Sequence, residues 1–208
     1  MNKKKIAIVG MGPIGSVLSA YLIRSGHDVT VIDVFREHIK RIRGHGLVID
    51  GASSLTTQVE CAYLGVPDAA LAGAMFDVVY VCVKATAIKN FAHVLPKILN
   101  DDGIAISFQN GMDTEADIIE ALGADRTLRG VVNYAGVFTS VGKIHMTFFN
   151  PPNYIGTVVP GNAATEDRAK EIAGMMTEAE LTCEYSDNIK WHVWEKVIRN
   201  AAMMPISA

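Results

Sequence analysis

The sequence predicts an α/β fold built on a doubly wound, mostly parallel sheet, and three observations carry that expectation. Apolar runs of strand length alternate with helical patterns along most of the chain, as in βαβ units. A glycine-rich turn joins the first run to the first helical pattern. One run, DVVYVCV at 77–83, is apolar throughout, which suits a strand buried on both faces at the centre of a parallel sheet.

Taken in order, KIAIVG (5–10) reads as a buried strand. Residues 13–24 read as a helix with Ile14, Val17, Leu18 and Tyr21 on one face, ended by Gly26. HDVTVID is the second strand, 36–43 a short basic helix, and 47–64 a less regular stretch with room for short strands. After DVVYVCV, residues 87–99 are expected to form its crossover helix. GIAISF is the next strand, QNG a turn and 114–122 a helix. From 127 to 159 the pattern changes to short alternating strands punctuated by Gly136, Gly142 and Pro151-Pro152, expected to add antiparallel strands to the sheet. An amphipathic helix follows at 165–180, then the short CEYSD. The last pattern, 188–203, is helical and no strand follows it.

Composition narrows the function classes. Half of the 208 residues are hydrophobic and a fifth are charged, ordinary for an enzyme domain. The net charge of -3, from 19 basic and 22 acidic residues spread along the chain, gives no footprint for nucleic acid or an anionic membrane. Small molecules are the expected partners. Cys61, Cys82 and Cys183 lack metal-ligand spacing, so no metal site is expected, and unpaired thiols fit a reducing cytoplasm. MNKKK before IAIVGMGPIGSVLSAYLI has the outline of a signal peptide, but glycines and a proline break the apolar run and no cleavage site follows. No other segment approaches the ~20 apolar residues of a membrane span.

The turn after the first strand, Gly10-Met11-Gly12-Pro13-Ile14-Gly15, is a G-x-G-x-x-G fingerprint between strand and helix, with Asp33 ending the next strand. This is the context of a Rossmann-type dinucleotide site. Gly10 serves the tight turn, Gly12 the approach of backbone to pyrophosphate, and Gly15 the packing of helix on strand. The helix N-terminus offers amides and a positive dipole end to phosphate. A carboxylate at Asp33 accepts from ribose hydroxyls and repels a 2'-phosphate, which favours NAD(H) over NADP(H); Arg36 and Arg41 are the counter-argument.

Lys84 follows DVVYVCV and Asn110 follows GIAISF, both at the carboxyl edge where such sheets bind ligands. Lys196 and Asn200 stand one helical turn apart and project from one face. In this order GMGPIG, VCVK, FQNG and WEKVIRNAAMMPISA resemble the motifs of ketopantoate reductases over nearly the whole chain. The resemblance implies reduction of a 2-oxo acid by a nicotinamide cofactor, with 2-dehydropantoate (ketopantoate) going to pantoate in pantothenate and coenzyme A biosynthesis.

It also implies roles. Lys196 is the general acid, Asn200 holds the substrate oxygen or orients the lysine, and Asn110 positions Lys196 or the nicotinamide ribose. Lys84 contacts cofactor ribose or adds positive potential. His192, Trp191 and Trp194 read as packing residues, and Met203 and Met204 as core or pocket wall. Two positions depart from the family: Asp33-Val34 stands where many members carry an arginine for NADP, and Met204 precedes Pro205 where an asparagine is common. They suggest one alternative, a D-2-hydroxy acid dehydrogenase acting on branched 2-oxo acids; a non-catalytic dinucleotide-binding module, lacking the family's C-terminal half, is the other.

The resemblance divides the chain into a dinucleotide-binding domain, 1–186, and the start of a helical substrate domain, 187–208. In the family that second domain supplies a serine for the substrate carboxylate and a glutamate near the lysine. Neither is assignable here, so the chain is expected to be truncated, to bind dinucleotide and to turn over poorly. A homodimer in the cytoplasm completes the expectation.

Overall fold

The structure, a computed structural model, describes residues 3–203, the side chain of Met203 excepted. Met204, Pro205 and the rest of the PISA ending lie outside the described residues.

The first strand, β1 (Lys5–Val9), leads into helix α1 (Pro13–Arg24), β2 (Asp28–Ile32) and α2 (Arg36–His45). Three short strands follow, β3 (Leu47–Gly51), β4 (Leu55–Thr57) and β5 (Cys61–Tyr63), then a short helix α3 (Val66–Leu71) in a stretch where the sequence suggests no element. Next come β6 (Phe76–Val81), α4 (Ala85–Ile88), β7 (Leu99–Ser107) and α5 (Ala116–Leu122). The remaining elements are β8 (Thr127–Val131), β9 (Tyr134–Ser140), β10 (Lys143–Phe149), β11 (Asn153–Thr157), α6 (Ala163–Glu178), β12 (Cys183–Tyr185) and α7 (Ile189–Met203).

An eight-stranded sheet runs in the order β12-β11-β8-β7-β6-β1-β2-β5. Every neighbouring pair is parallel except β8 with β11. The chain moves outward from β1 to β2 and returns to β1's other side with β6, so the strand order reverses at β1. That reversal is where such sheets open a ligand crevice at their carboxyl edge.

Two expectations about secondary structure need correction. Residues 87–99 do not form one helix: α4 ends at Ile88 and a 3-10 segment, Ala92–Lys97, replaces the rest. Pro96 lies inside that segment, and a proline there removes a donor and obstructs the preceding turn. The strands of 127–159 also do not all extend the main sheet. β9 and β10 join β3 and β4 in a separate sheet of order β4-β3-β10-β9. Alternation explains the choice, because Ile144 and Met146 of β10 are fully buried while His145 and Thr147 face outward.

Helix α1 lies between the two sheets, and its residues from Gly15 to Leu22 are all buried. Val17, Leu18 and Tyr21 share one core with Ile6 and Ile8 of the main sheet and with Leu47, Ile49 and Ile144 of the second. The opposite face of the main sheet has its own core around Val79, Val81, Leu95 and Ala105. Helix α7 docks on β8 and β11 through Ile189, Val193 and Val197, spaced four residues apart. Each fully buried aliphatic contributes about 1.5–3 kcal/mol. Trp191 and Trp194, expected to pack, are instead 65% and 53% exposed, with Ile198 beside them at 64%. No helix among the described residues is long and apolar enough to cross a membrane.

Candidate functional site

The glycines of the β1–α1 turn separate into two kinds. Gly10 has φ +98°, and a Cβ there would lie 2.7 Å from the Val83 amide nitrogen. At Gly15 an added Cβ would lie 1.9 Å from the carbonyl oxygen of Gly10, so α1 rests on the turn with no room for a side chain. Both are required by the protein's own packing. Gly12 is different: its φ is -64°, ordinary for any residue, and an added Cβ meets nothing within 4 Å. The chain itself has no steric need for glycine there. The open side of Gly12, with α1 beginning at Pro13, is a cradle that a Cβ would fill, as a pyrophosphate-binding turn requires.

Asp33 closes the outer end of this turn. Its Oδ2 accepts from the Met11 amide at 2.5 Å and its Oδ1 from the Phe35 amide at 2.7 Å. Each oxygen retains a lone pair, so the carboxylate can still accept from hydroxyls. Arg36 and Arg41 are exposed on α2.

A cleft of about 600 Å³ opens beside the turn, lined by Ile14, Phe108, Asn110, Tyr134, Lys196 and Asn200 among others. A second hollow of about 290 Å³ is lined by Ile14, Cys82, Lys84 and Asn110. Ile14, Phe108 and Asn110 line both, so the two adjoin, one at the end of β6 and the other at α7. The structure therefore brings Ile14, Asn110, Lys196 and Asn200 to one cleft and Lys84 to the hollow adjoining it, with Gly10, Gly12, Pro13 and Gly15 in the turn that leads into Ile14. Asp33 stands apart from the cleft, at the far side of the turn.

Lys196 is half-buried, and its Nζ donates to the carbonyl oxygen of Val132. Burial, reinforced by the positive charges of Arg199 and Arg129, lowers its pKa to about 8. A lysine in this state holds a proton at neutral pH and releases it readily. His192 stacks on Tyr154 with ring centroids 3.6 Å apart, a packing contact.

Two arginines in this region escape the motif reading. Arg199 lines the cleft beside Lys196 and donates to Asn133 Oδ1 at 3.3 Å. Its position three residues beyond Lys196 on a helix is the signal that could have found it. Arg129, in the fully buried strand β8, donates to the loop that carries Asn110. No local motif marks it.

These features define an α/β dinucleotide-binding domain of the Rossmann type, with a lysine and amide side chains at the carboxyl edge of its sheet. The family model for ketopantoate reductase PanE/ApbA matches residues 6–159, and the chain belongs to that family. It is 30% identical, over 98% of its length, to the 2-dehydropantoate 2-reductase of Pyrococcus horikoshii, of which it covers 63%. It is 27% identical, over 100% of its length, to that of Archaeoglobus fulgidus, of which it covers 65%. The chain thus spans less than two thirds of these relatives. The structure of 2-dehydropantoate 2-reductase from Geobacter metallireducens shares the fold with a TM-score of 0.79 at 26% identity, covering 94% of this chain and 62% of that one. The ternary structure of D-mandelate dehydrogenase with NADH and anilino(oxo)acetate shares the fold with a TM-score of 0.80 at 22% identity, covering 94% and 61%.

Proposed function

We propose that this protein reduces a 2-oxo acid to the corresponding 2-hydroxy acid with a nicotinamide dinucleotide, and that 2-dehydropantoate is the substrate. One observation carries the reading: a cleft lined by Ile14, at the start of α1 beside the glycine turn, also holds a half-buried lysine whose pKa is lowered to about 8.

Gly10, Gly12 and Gly15 with the start of α1 would hold the pyrophosphate, and Asp33 the adenosine ribose hydroxyls. Lys84, lining the hollow at the end of β6, would contact a cofactor ribose or add positive potential. When bound, the reduced nicotinamide supplies the hydride. Lys196 donates a hydrogen bond to the substrate carbonyl oxygen and transfers its proton there as negative charge builds on that oxygen. The Val132 carbonyl holds the ammonium at the cleft wall meanwhile. Asn200 lines the cleft one turn beyond and holds the same substrate oxygen, while Asn110 orients the reacting groups from the opposite wall. Arg199 is a second cation for an anionic substrate, suited to a carboxylate. Phe108, Val132 and Phe148 give the cleft an apolar wall, beside Asn133 and Asn150, that would accommodate a branched carbon chain.

Asp33 supports NADH over NADPH, and the same residue favours a second reading, a D-2-hydroxy acid dehydrogenase on branched 2-oxo acids. Two measurements test the proposal. NADH and NADPH are titrated by quenching of the fluorescence of Trp191 and Trp194, and turnover of 2-dehydropantoate and 2-oxoisovalerate is compared in the full-length gene product. Faster turnover of 2-oxoisovalerate selects the second reading, and turnover of neither refutes both.

A further inference from the structure

Asn110 sits on a loop with little regular backbone support. Gly111 has φ +107° and Asp113 φ +51°, and α5 begins only at Ala116. Support comes from below, from Arg129, which is 2% exposed in β8. Its Nη2 donates to the carbonyl oxygen of Gln109 at 2.8 Å and to that of Gly111 at 2.9 Å, the residues on either side of Asn110. Its Nη1 donates to Ser107 Oγ at 2.8 Å and to Thr114 Oγ1, which stand where the loop leaves β7 and where it approaches α5. The Glu115 carboxylate is 3.6 Å from Nη1.

We propose that Arg129 is a positioning residue for the reaction: its guanidinium clamps the two carbonyls that flank Asn110 and thereby fixes the Asn110 amide in the crevice it shares with Lys196. The proposal rests on the reading in which Asn110 serves the chemistry.

The chemistry of the group fits the task. A buried guanidinium is costly to desolvate, and burial pulls the Arg129 pKa down despite the opposing charges of Glu115 and Asp113. A strand position with apolar neighbours gains nothing from such a group unless its donors are needed. The planar fork reaches several acceptors at fixed spacing, which the single flexible ammonium of a lysine cannot reproduce. The contacts span the loop, so the guanidinium replaces the missing backbone ladder. Gln109 adds a second tie, donating from Nε2 to the Val81 carbonyl at 2.6 Å, and this anchors the loop to β6.

The test is a double-mutant cycle in the full-length gene product, with Arg129→Lys, Asn110→Ala and the pair together. It reads kcat for 2-oxo acid reduction, NADH affinity and Tm. Arg129→Lys is expected to lower kcat by about tenfold to a hundredfold, the scale set by misplacing a reacting group. NADH affinity should stay within about threefold, and adding Arg129→Lys to Asn110→Ala should lower kcat no further. Thr114→Val, which removes one acceptor and leaves the arginine in place, should lower kcat in the same direction and guards against a poorly folding Arg129 variant. Multiplicative losses in the double variant, or a lower Tm with kcat unchanged in both single-site changes, overturn the clamp while the reductase reading stands. A wild-type protein that reduces no 2-oxo acid overturns that reading and the clamp's role with it.

Discussion

The backbone amide of Met11 donates to Asp33 Oδ2 at 2.5 Å, tying the end of the second strand to the middle of the glycine turn. One carboxylate therefore shapes the glycine turn and faces the region expected to hold ribose. Asp33→Asn keeps the shape but removes the charge. Its NH2 end then confronts one of the two amide donors, Met11 or Phe35. Hydrogen bonds to charged groups contribute about 1.5–3 kcal/mol, so NADH affinity should fall by about tenfold to a hundredfold. NADPH affinity should fall less. Titration of both cofactors checks this, and a larger loss for NADPH would remove Asp33 from the ribose.

Lys196 gives a pH prediction whose sign follows from its environment. Burial first, then Arg199 and Arg129, disfavour the ammonium and bring its pKa from 10.5 to about 8. If Lys196 is the general acid it must hold its proton, so reduction should be level below pH 8 and fall about tenfold per pH unit above it. Arg199→Met removes a neighbouring positive charge and should move that limb to higher pH. Lys196→Met should lower kcat by about a hundredfold to ten-thousandfold and leave NADH affinity unchanged. The same burial makes the charge unfavourable for folding at neutral pH, so Lys196→Met should also raise Tm at pH 7.

The legible parts of the molecule were those with local signals. The strand, glycine turn and helix from Lys5 to Arg24, and the strands leading to Asp33, Lys84 and Asn110, follow from periodicity and punctuation within a few residues of each other. The second sheet was illegible because its strands come from 47–57 and 134–149, and only long-range pairing decides that β10 lies beside β3. The crossover after β6 was misread because its apolar spacing imitates a helix that Pro96 interrupts. In the site, Lys196 and Asn110 carried motif context. Arg129 did not, since a single arginine in a strand has no pattern until the loop above it is in place.

The contrast between two glycines separates fold from cofactor binding. Gly15→Ala forces a Cβ to within 1.9 Å of the Gly10 carbonyl oxygen, and because backbone must move, the loss should be at least about 1–3 kcal/mol, visible as a lower Tm. Gly12→Ala places its Cβ in open space at an ordinary φ, so Tm should change little. NADH affinity should nevertheless fall by about tenfold or more if backbone approaches pyrophosphate there. Equal Tm losses in the two variants, or unchanged affinity in Gly12→Ala, would contradict this assignment.

His38 makes the fold sensitive to acid. It is 1% exposed on α2, its Nδ1 accepts from the Gly142 amide at 3.1 Å, and its Nε2 is buried without a partner among the described residues. Its ring lies against Phe35 and Phe138, with centroids 6.2 and 5.2 Å away. Burial lowers its pKa below 6.5, and the charge of Asp33 opposes this only in part. A protonated ring would set a donor at Nδ1 against the Gly142 donor. As pH falls below 6.5 the unfolded chain therefore takes up a proton that the folded chain resists, and stability declines by up to about 1.4 kcal/mol per pH unit. Above 6.5 the contribution is complete. His27, also lowered chiefly by burial, acts in the same direction, so the informative quantity is a difference. His38→Phe should lower Tm at pH 7 through loss of the bond to Gly142, but the gap to wild type should narrow between pH 6.5 and 5. Thermal melts across that range decide it, and a gap that stays constant would show that His38 takes up its proton as readily in the folded protein as in the unfolded chain.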